Sequence, residues 1–244
     1  MEYFWDTSET IADGLGFSQF GVFHLGWLAA AAILVVVSCM LYGKLGQRGK
    51  SLWKRTVAVL LLADELFKLI PMLILGRFQV DYLPFHMCSI NLFLVAWHAW
   101  KPNKVLDNFL YTVCIPGALA ALLFPSWTKL PPANYMVIHS FTVHILLALY
   151  PAVLTANREI KPRLKALPGS LVLLVVFAVL ALVLNLCWDT NFMFLMKADK
   201  GNPLYWFGQN WGSHLLGFPV IIAAVIIVMY APVELYHRFK TKVK

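Results

Sequence analysis

The chain has 244 residues, of which 60% are hydrophobic and only 13% are charged, and its mean hydropathy is +0.71. A water-soluble domain of this length does not have so apolar a composition, so the sequence predicts an all-α, polytopic membrane protein. Basic loops beside the membrane and contact with anionic lipid explain the net charge of +8, and no nucleic-acid partner is needed.

Apolar runs of about membrane-crossing length recur along the chain, since each crossing needs about 20 mostly apolar residues. The third run is the shortest and the most polar, so a re-entrant or tilted segment is the alternative there. We expect one transmembrane helical domain over residues 1–244, with about seven helices. The seven runs cover residues 19–43, 56–76, 83–100, 106–124, 134–155, 170–188 and 213–236.

The distribution of basic residues predicts the orientation of these helices. Residues 1–20 hold four acidic residues and neither lysine nor arginine, whereas the loop around residues 44–55 is basic. Because cytoplasmic loops carry the excess of lysine and arginine, the N-terminus is predicted outside and the C-terminus in the cytoplasm. The first 18 residues lack the features of a signal peptide. We therefore expect a multi-pass protein of the cell membrane that keeps its first helix.

A histidine and a cysteine interrupt the apolar run at the start of the third predicted helix, in the sequence LPFHMCS of residues 83–89. Polar side chains at membrane depth are costly and commonly functional. Pro84 suits the first turn of a helix, and the free N–H groups of that turn favour a thiolate or an oxyanion. Cys88 is therefore the candidate nucleophile, with His86 as a neighbouring catalytic candidate.

Polar residues of other predicted helices are expected at the same depth, in the outer half of the membrane. At about 1.5 Å per residue, His139 lies nearly level with Cys88, and His144 lies deeper. The two histidines are about 140° apart around one helix, so they do not both face one atom. Either of them is the candidate base, and Asn185 is a candidate polarising donor.

The second predicted helix carries three charged residues near mid-membrane. Asp64 and Lys68 are four residues apart, so an ion pair between them is the simplest expectation. Glu65 points about 100° away from Asp64 and is the candidate group that holds a histidine, as the third member of a triad does. The same buried acids could instead carry protons in a transport pathway.

Candidate substrate-binding groups and the cysteines complete the predicted site. A disulfide between Cys88 and Cys187, which both fall toward the outer face, is the structural alternative and would abolish the nucleophile. Neither a CxxC motif nor a Cys/His cluster with zinc spacing occurs, so no metal and no other cofactor is predicted. The candidate substrate-binding residues are Asn185, Asn191, His24 and Asn91.

Several separated motifs agree in order with a known family. These are FHL with His24, the acidic Glu65, LPFHMCSINLFL with His86 and Cys88, GALAALLFP at 117–125, HSFTVH with His139 and His144, and the Asn185 to Leu195 stretch. The chain resembles the YwaF-like integral membrane proteins of bacteria, which are distantly similar to the animal TMEM-type ether-phospholipid acyltransferase. One stretch departs from the family, because GSHLLGF at 212–218 replaces a Pro-Trp-aromatic sequence.

The resemblance implies a cysteine-dependent lipid acyltransferase in which Cys88 accepts the acyl group. On this hypothesis a phospholipid or lysophospholipid enters from the outer leaflet, Cys88 attacks the ester, and a histidine activates the acceptor hydroxyl or water. Acyl transfer and acyl hydrolysis both remain open. The alternative is a small proton-coupled permease or solute-binding protein that uses the same buried residues. A noncatalytic membrane scaffold is a third reading.

Overall fold

The chain is helical, without β-strands, in the residues that the computed structural model describes, which are 3–7, 10–12, 14–198 and 200–242. The all-α prediction is confirmed for these residues. In chain order the α-helices are α1 (Val22–Gly43), α2 (Gln47–Ile74), α3 (Met87–Trp100), α4 (Lys104–Phe109), α5 (Ile115–Leu123), α6 (Tyr135–Ala156), α7 (Leu167–Trp188), α8 (Pro203–Trp211) and α9 (Gly217–Lys242).

Within the described ranges, five helical stretches are long and apolar enough to cross a membrane. The expectation of a multi-pass membrane protein is thereby confirmed. Of the other two predicted runs, α2 carries three charged residues at its middle, and α3 has only 14 residues. The five stretches are Val22–Gly43, Lys104–Leu123, Tyr135–Ala156, Leu164–Trp188 and His214–Leu235.

The central helix of the bundle is α6, whose membrane-spanning stretch is 72% buried, compared with 11% for α1. It packs against α1, α2, α3 and α5. Helices α1, α7 and α9 expose sides rich in leucine, valine and isoleucine, which suits contact with lipid tails. Buried polar side chains of α2 and α3, among them Glu65, Lys68 and Asn91, face the interior of the bundle.

Several helices begin at an asparagine that caps their first free N–H groups. The side chain of Asn103 accepts hydrogen bonds at the start of α4, and Asn134 and Asn202 do the same for α6 and α8. Such caps stabilise a helix by about 1 kcal/mol. Helix α3 differs, because no side chain caps its start after His86.

A π-helical turn at residues 110–114 joins α4 to α5, where the sequence predicted one uninterrupted helix. Pro116 has no N–H and cannot donate to the carbonyl oxygen of Thr112, so the regular hydrogen-bond ladder is broken there. The wider turn directs the Thr112 hydroxyl to that of Tyr230 on α9, 2.8 Å away. It also places Cys114 in the core, where its thiol contacts the backbone of α6.

Helix α8 lies against the start of α9 at a glycine. A Cβ atom on Gly217 would lie only 2.6 Å from the ring of Phe207 and 2.9 Å from the side chain of Leu204. Trp206 and Trp211 stay about half exposed on the other side of α8. The close contact of the two helices therefore depends on the missing side chain.

Loop contacts divide the molecule into two ends. At the N-terminal end, the first residues meet the α5–α6 connection, as in the 3.0 Å hydrogen bond from Phe17 N–H to the Thr128 carbonyl. The α2–α3 and α7–α8 connections lie at this end too, joined by the Asn191 N–H and the Asp81 carboxylate. The opposite end, here called the basic end, holds the α1–α2, α3–α4 and α6–α7 connections, where most lysine and arginine residues lie.

Candidate functional site

Cys88 lies in the first turn of α3, which begins at Met87. The first N–H groups of any helix have no acceptor inside the helix, and at this helix start no side chain caps them either. The backbone N–H groups of Cys88 and Ser89 act on the Cys88 sulfur. Pro84 was expected in the first helical turn, and this is wrong, because Leu83 and Phe85 close a separate turn before the helix. The predicted contact between thiol and helix N-terminus nevertheless forms.

The thiol of Cys88 is free and partly accessible. Cys187 is also free and lies exposed at the end of α7, so the alternative of a Cys88–Cys187 disulfide is wrong. Cys114, in the π-helical turn, is also a free cysteine and interacts electrostatically with Cys88.

A buried ion pair on α2 lies beside this thiol. Lys68 pairs with Glu65, and the Ser89 hydroxyl lies 3.4 Å from each oxygen of the Glu65 carboxylate. Both charges act on Cys88. The expected pairing of Lys68 with Asp64 is wrong, because Glu65 faces α3 together with Lys68, whereas Asp64 faces α6. Glu65 consequently holds a lysine and a serine, and no histidine among the described residues pairs with it.

Asp64 is the acid that meets a histidine. His139 Nδ1 on α6 lies 3.0 Å from Asp64 Oδ2, in a close contact that is not aligned as a straight hydrogen bond. The Thr142 hydroxyl donates to Asp64 Oδ1 at 2.9 Å. Because Nδ1 faces the carboxylate, Nε2 is the nitrogen of His139 that is left to exchange a proton with a reactant.

His144 has a different environment. Its Nδ1 lies 2.6 Å from the carbonyl oxygen of Ser140, which only accepts, so Nδ1 carries the proton and Nε2 is an acceptor. Cys88 packs against a core cluster that includes Val143 and Leu147 of α6. Among the described residues, no hydrogen bond joins the Cys88 thiol to either histidine. The predicted pairing of Cys88 with a histidine is therefore not made through a hydrogen bond in the described residues, and it stays a prediction.

His86 contacts the loop that follows α7. Its Nδ1 accepts a hydrogen bond from Met193 N–H at 3.3 Å, and its ring packs against Phe192 and Phe194. Met193 and Phe194 have φ values of 59° and 56°, a conformation that costs non-glycine residues of order 1–3 kcal/mol each. His214 Nε2 donates to the Phe194 carbonyl at 3.1 Å. Sequence reasoning missed His214, whose only signal is its place before the last apolar run.

Asn185 and Asn191, both predicted to bind substrate, hold this same loop. The Asn185 side chain accepts from the N–H of Phe192 at 2.7 Å and donates to its carbonyl at 3.1 Å. Asn191 Oδ1 accepts the backbone N–H groups of residues 196–197. Their amides shape the loop that contacts His86, and their hydrogen-bonding groups are used within the protein.

His24 and Asn91, the other predicted binding residues, differ in what they leave free. His24 Nδ1 accepts from Phe20 N–H at 2.8 Å, so Nε2 carries the proton and donates to the Leu122 carbonyl at 2.7 Å. This histidine fastens α1 to α5. Asn91, three residues after Cys88, is only 2% exposed, and its Oδ1 has no partner. A hydroxyl donor beside Cys88 would satisfy this oxygen.

In the part of the chain that the structure describes, no three side chains of histidine, cysteine, aspartate or glutamate are arranged to hold a metal ion. The reactive side chains described above are one thiol, two carboxylates, three imidazoles and one lysine.

The model of the TMEM164 family matches residues 19–230 of the chain. The chain belongs to the TMEM164 family. The match covers the Cys88 turn and the Asp64–His139 contact, so both groups lie in the part shared with the TMEM164 family. The expectation of a TMEM-type membrane family is confirmed. No curated protein and no solved structure matches the chain.

Proposed function

We propose that this protein is a membrane-embedded lipid acyltransferase in which Cys88 carries the acyl group. The observation that supports this best is the position of a free thiol in the uncapped first turn of α3. The N–H groups of that turn favour both the thiolate and the oxyanion that forms at an attacked carbonyl. Lys68 adds positive charge beside the thiol, and Glu65 offsets it.

The reaction has two balanced steps. The Cys88 thiol passes its proton to a histidine and attacks the ester carbonyl of a phospholipid, the C–O bond breaks, and a lysophospholipid leaves with that proton. The hydroxyl of an acceptor lysophospholipid then attacks the thioester and gives its proton to the histidine. The C–S bond breaks, and the proton returns to the thiolate. Water as acceptor would yield a free fatty acid instead.

His139 is the preferred base. The Asp64 carboxylate at its Nδ1 stabilises the imidazolium that forms when Nε2 takes a proton, in the way the aspartate of a catalytic triad does. His144 donates its Nδ1 proton to a neutral carbonyl, and Asp64 acts on it electrostatically without pairing with it. Asp64 and Glu65 are neighbours on α2, so the His139 and Cys88 groups flank the same helix.

The membrane arrangement that fits this chemistry has seven crossings in one domain, with α2 and α3 completing the five long apolar stretches. The N-terminal end lies outside the cell membrane and the basic end in the cytoplasm, which the lysine and arginine distribution supports. Cys88 then lies in the outer half of the bilayer, where a phospholipid reaches it laterally. The resemblance to YwaF-like proteins and to the animal acyltransferase supports the same substrate class.

The decisive test is Cys88→Ala in liposomes that contain a labelled phospholipid donor and a lysophospholipid acceptor. Loss of the nucleophile should lower acyl transfer by about 10³-fold or more and abolish the acyl-thioester that can be trapped on the protein. Cys187→Ala, which changes an exposed cysteine at the same end, is the matched control and should keep full activity. Turnover by folded Cys88→Ala at the wild-type rate would reject the proposal.

A small proton-coupled permease is the second candidate, and the buried Asp64–His139 contact is the observation that favours it. Proton-coupled uptake into liposomes that disappears in Asp64→Asn and persists in Cys88→Ala would replace the acyltransferase with this function.

A further inference from the structure

The N-terminal cap, defined as the described residues between 3 and 18, is fastened across the ends of two helices. The side chain of Asn134, at the start of α6, donates to the carbonyl oxygens of Tyr3 and Asp6, each at 2.9 Å. Beyond the end of α2, Arg77 pairs with the Asp6 carboxylate at 3.0 Å. The cap therefore bridges α2 and α6 at the N-terminal end of the molecule.

Trp5 of the cap lies between α2 and α6 at the N-terminal end. Its ring centroid is 6.2 Å from that of Phe67 on α2 and 5.2 Å from that of Tyr135 on α6. Phe67 is three residues from Asp64, and Tyr135 is four residues from His139. On each helix the aromatic residue consequently lies about one turn, roughly 5 Å, nearer the aqueous end than its polar neighbour. The aromatic layer formed by Trp5, Phe67 and Tyr135 therefore lies between the Asp64–His139 contact and the aqueous end.

The covered pair is largely buried. The side chains of His139 and Asp64 are 9% and 14% exposed, and the facing atoms Asp64 Oδ2 and His139 Nδ1 are buried. Tyr135, which separates the pair from the cap, is completely buried. Exclusion of water strengthens the electrostatic support that a carboxylate gives to an imidazolium, and it prevents hydrolysis of a reactive thioester.

We infer that the N-terminal cap closes the aqueous route to His139, so that the acceptor is a membrane-dissolved alcohol and the protein transfers acyl groups in preference to hydrolysing them. This inference rests on the proposed acyl transfer. In both outcomes the thioester C–S bond breaks and the Cys88 thiol is restored. A lysophospholipid hydroxyl yields a phospholipid, whereas water yields a fatty acid, so the cap selects the acceptor class.

The first experiment measures the ratio of free fatty acid to transferred acyl chain in liposomes with labelled phosphatidylcholine and lysophosphatidylcholine. Trp5→Ala should raise that ratio by about tenfold, equivalent to about 1.4 kcal/mol of lost discrimination, and Trp5→Phe should restore most of it. Trp206→Ala, a change of an exposed tryptophan on α8 at the same end, is the matched control. A ratio that stays at the wild-type value in Trp5→Ala overturns the inference.

A second measurement is independent of acyl transfer. Met136, 1% exposed in α6, lies in the core cluster that Phe4 and Phe17 of the cap cover. Met136→Cys, in a background with the native cysteines changed to alanine, should react slowly with a cationic, water-soluble thiol reagent and at least about tenfold faster once Trp5→Ala is added.

The two readouts separate the two ways of failing. If Trp5→Ala speeds the labelling of Met136→Cys but no protein, wild type included, transfers acyl groups, the cap does close the aqueous route and the acyltransferase proposal is rejected. Equal labelling rates with and without Trp5→Ala reject the cap as a barrier, whatever the activity is.

Discussion

Two neighbouring acids on α2 take different partners because successive residues of a helix point about 100° apart. Glu65 pairs with Lys68 beside α3, and Asp64 meets His139 on α6. The sequence placed the three α2 groups near mid-membrane and His139 in the outer half, but spacings of three and four residues both permit an ion pair within a helix. Which acid faces which neighbouring helix depends on tertiary packing, so the pairing was not predictable from spacing.

Glu65→Gln tests the cost of leaving Lys68 charged and buried without its partner. We expect the free energy of unfolding to fall by about 3 kcal/mol or more, because an isolated buried charge is strongly unfavourable. The readout is the midpoint of thermal unfolding in detergent. The double variant Glu65→Gln with Lys68→Met removes both charges and should recover most of the loss. A single variant as stable as the wild type would contradict the pairing.

The candidate thiol could be predicted because a cysteine in an apolar run next to a proline is visible in the sequence. The contacts of Asn185 and Asn191 could not, since they bind the backbone of a loop whose positive φ values at Met193 and Phe194 follow no sequence rule. From the sequence alone, a buried amide that holds a loop looks the same as one that binds a ligand.

At the scale of elements, the α6–α7 connection binds the ends of α1 and α2 through one carboxylate. Glu159 accepts hydrogen bonds from the Tyr42 hydroxyl at 2.8 Å and from Lys54 at 3.0 Å, and Lys50 lies 3.6 Å away. Burial acts to raise the pKa of Glu159. The hydrogen bonds and the two positive charges outweigh burial and hold this pKa below its usual value.

The lowered pKa of Glu159 predicts a pH-dependent stability. Its ionised form stabilises the fold above the unfolded-state pKa of about 4.3, and this contribution is lost as the pH falls through the lower, folded-state pKa. Between about pH 5 and pH 3, the thermal midpoint of the wild type should therefore fall more steeply than that of Glu159→Gln. Parallel curves for the two proteins would show that the carboxylate does not link these helices.

Helix bounds were predictable where apolar runs are long and capped. The run at 134–155 is α6, Tyr135–Ala156, which begins at its Asn134 cap. The start of α3 was placed too early, because residues 83–86 form a turn. Helix α8 was missed in the stretch before the last apolar run, since nine residues with two amide side chains and a glycine show no membrane-crossing pattern.

For the whole molecule, the two ends differ in charge, and the orientation predicted from this difference can be measured. Lys197→Cys at the N-terminal end and Lys161→Cys at the basic end, each in a Cys187→Ala background, place one exposed thiol on either side. In intact cells an impermeant thiol reagent should label the first, and it should label the second only after the membrane is opened. The reverse pattern would invert the orientation.

Because Gly217 has no side chain, α8, which carries Trp206 and Trp211, packs closely against the start of α9. Because Phe207 fills that space, the aromatic face of α8 is fixed at a set height relative to α9. His214, in the short link between α8 and α9, donates a hydrogen bond to the Phe194 carbonyl. Met193, the residue before Phe194, donates its N–H to His86. A chain of hydrogen bonds thus connects α8 and its exposed indole rings to His86, directly before the helical turn that carries the sulfur.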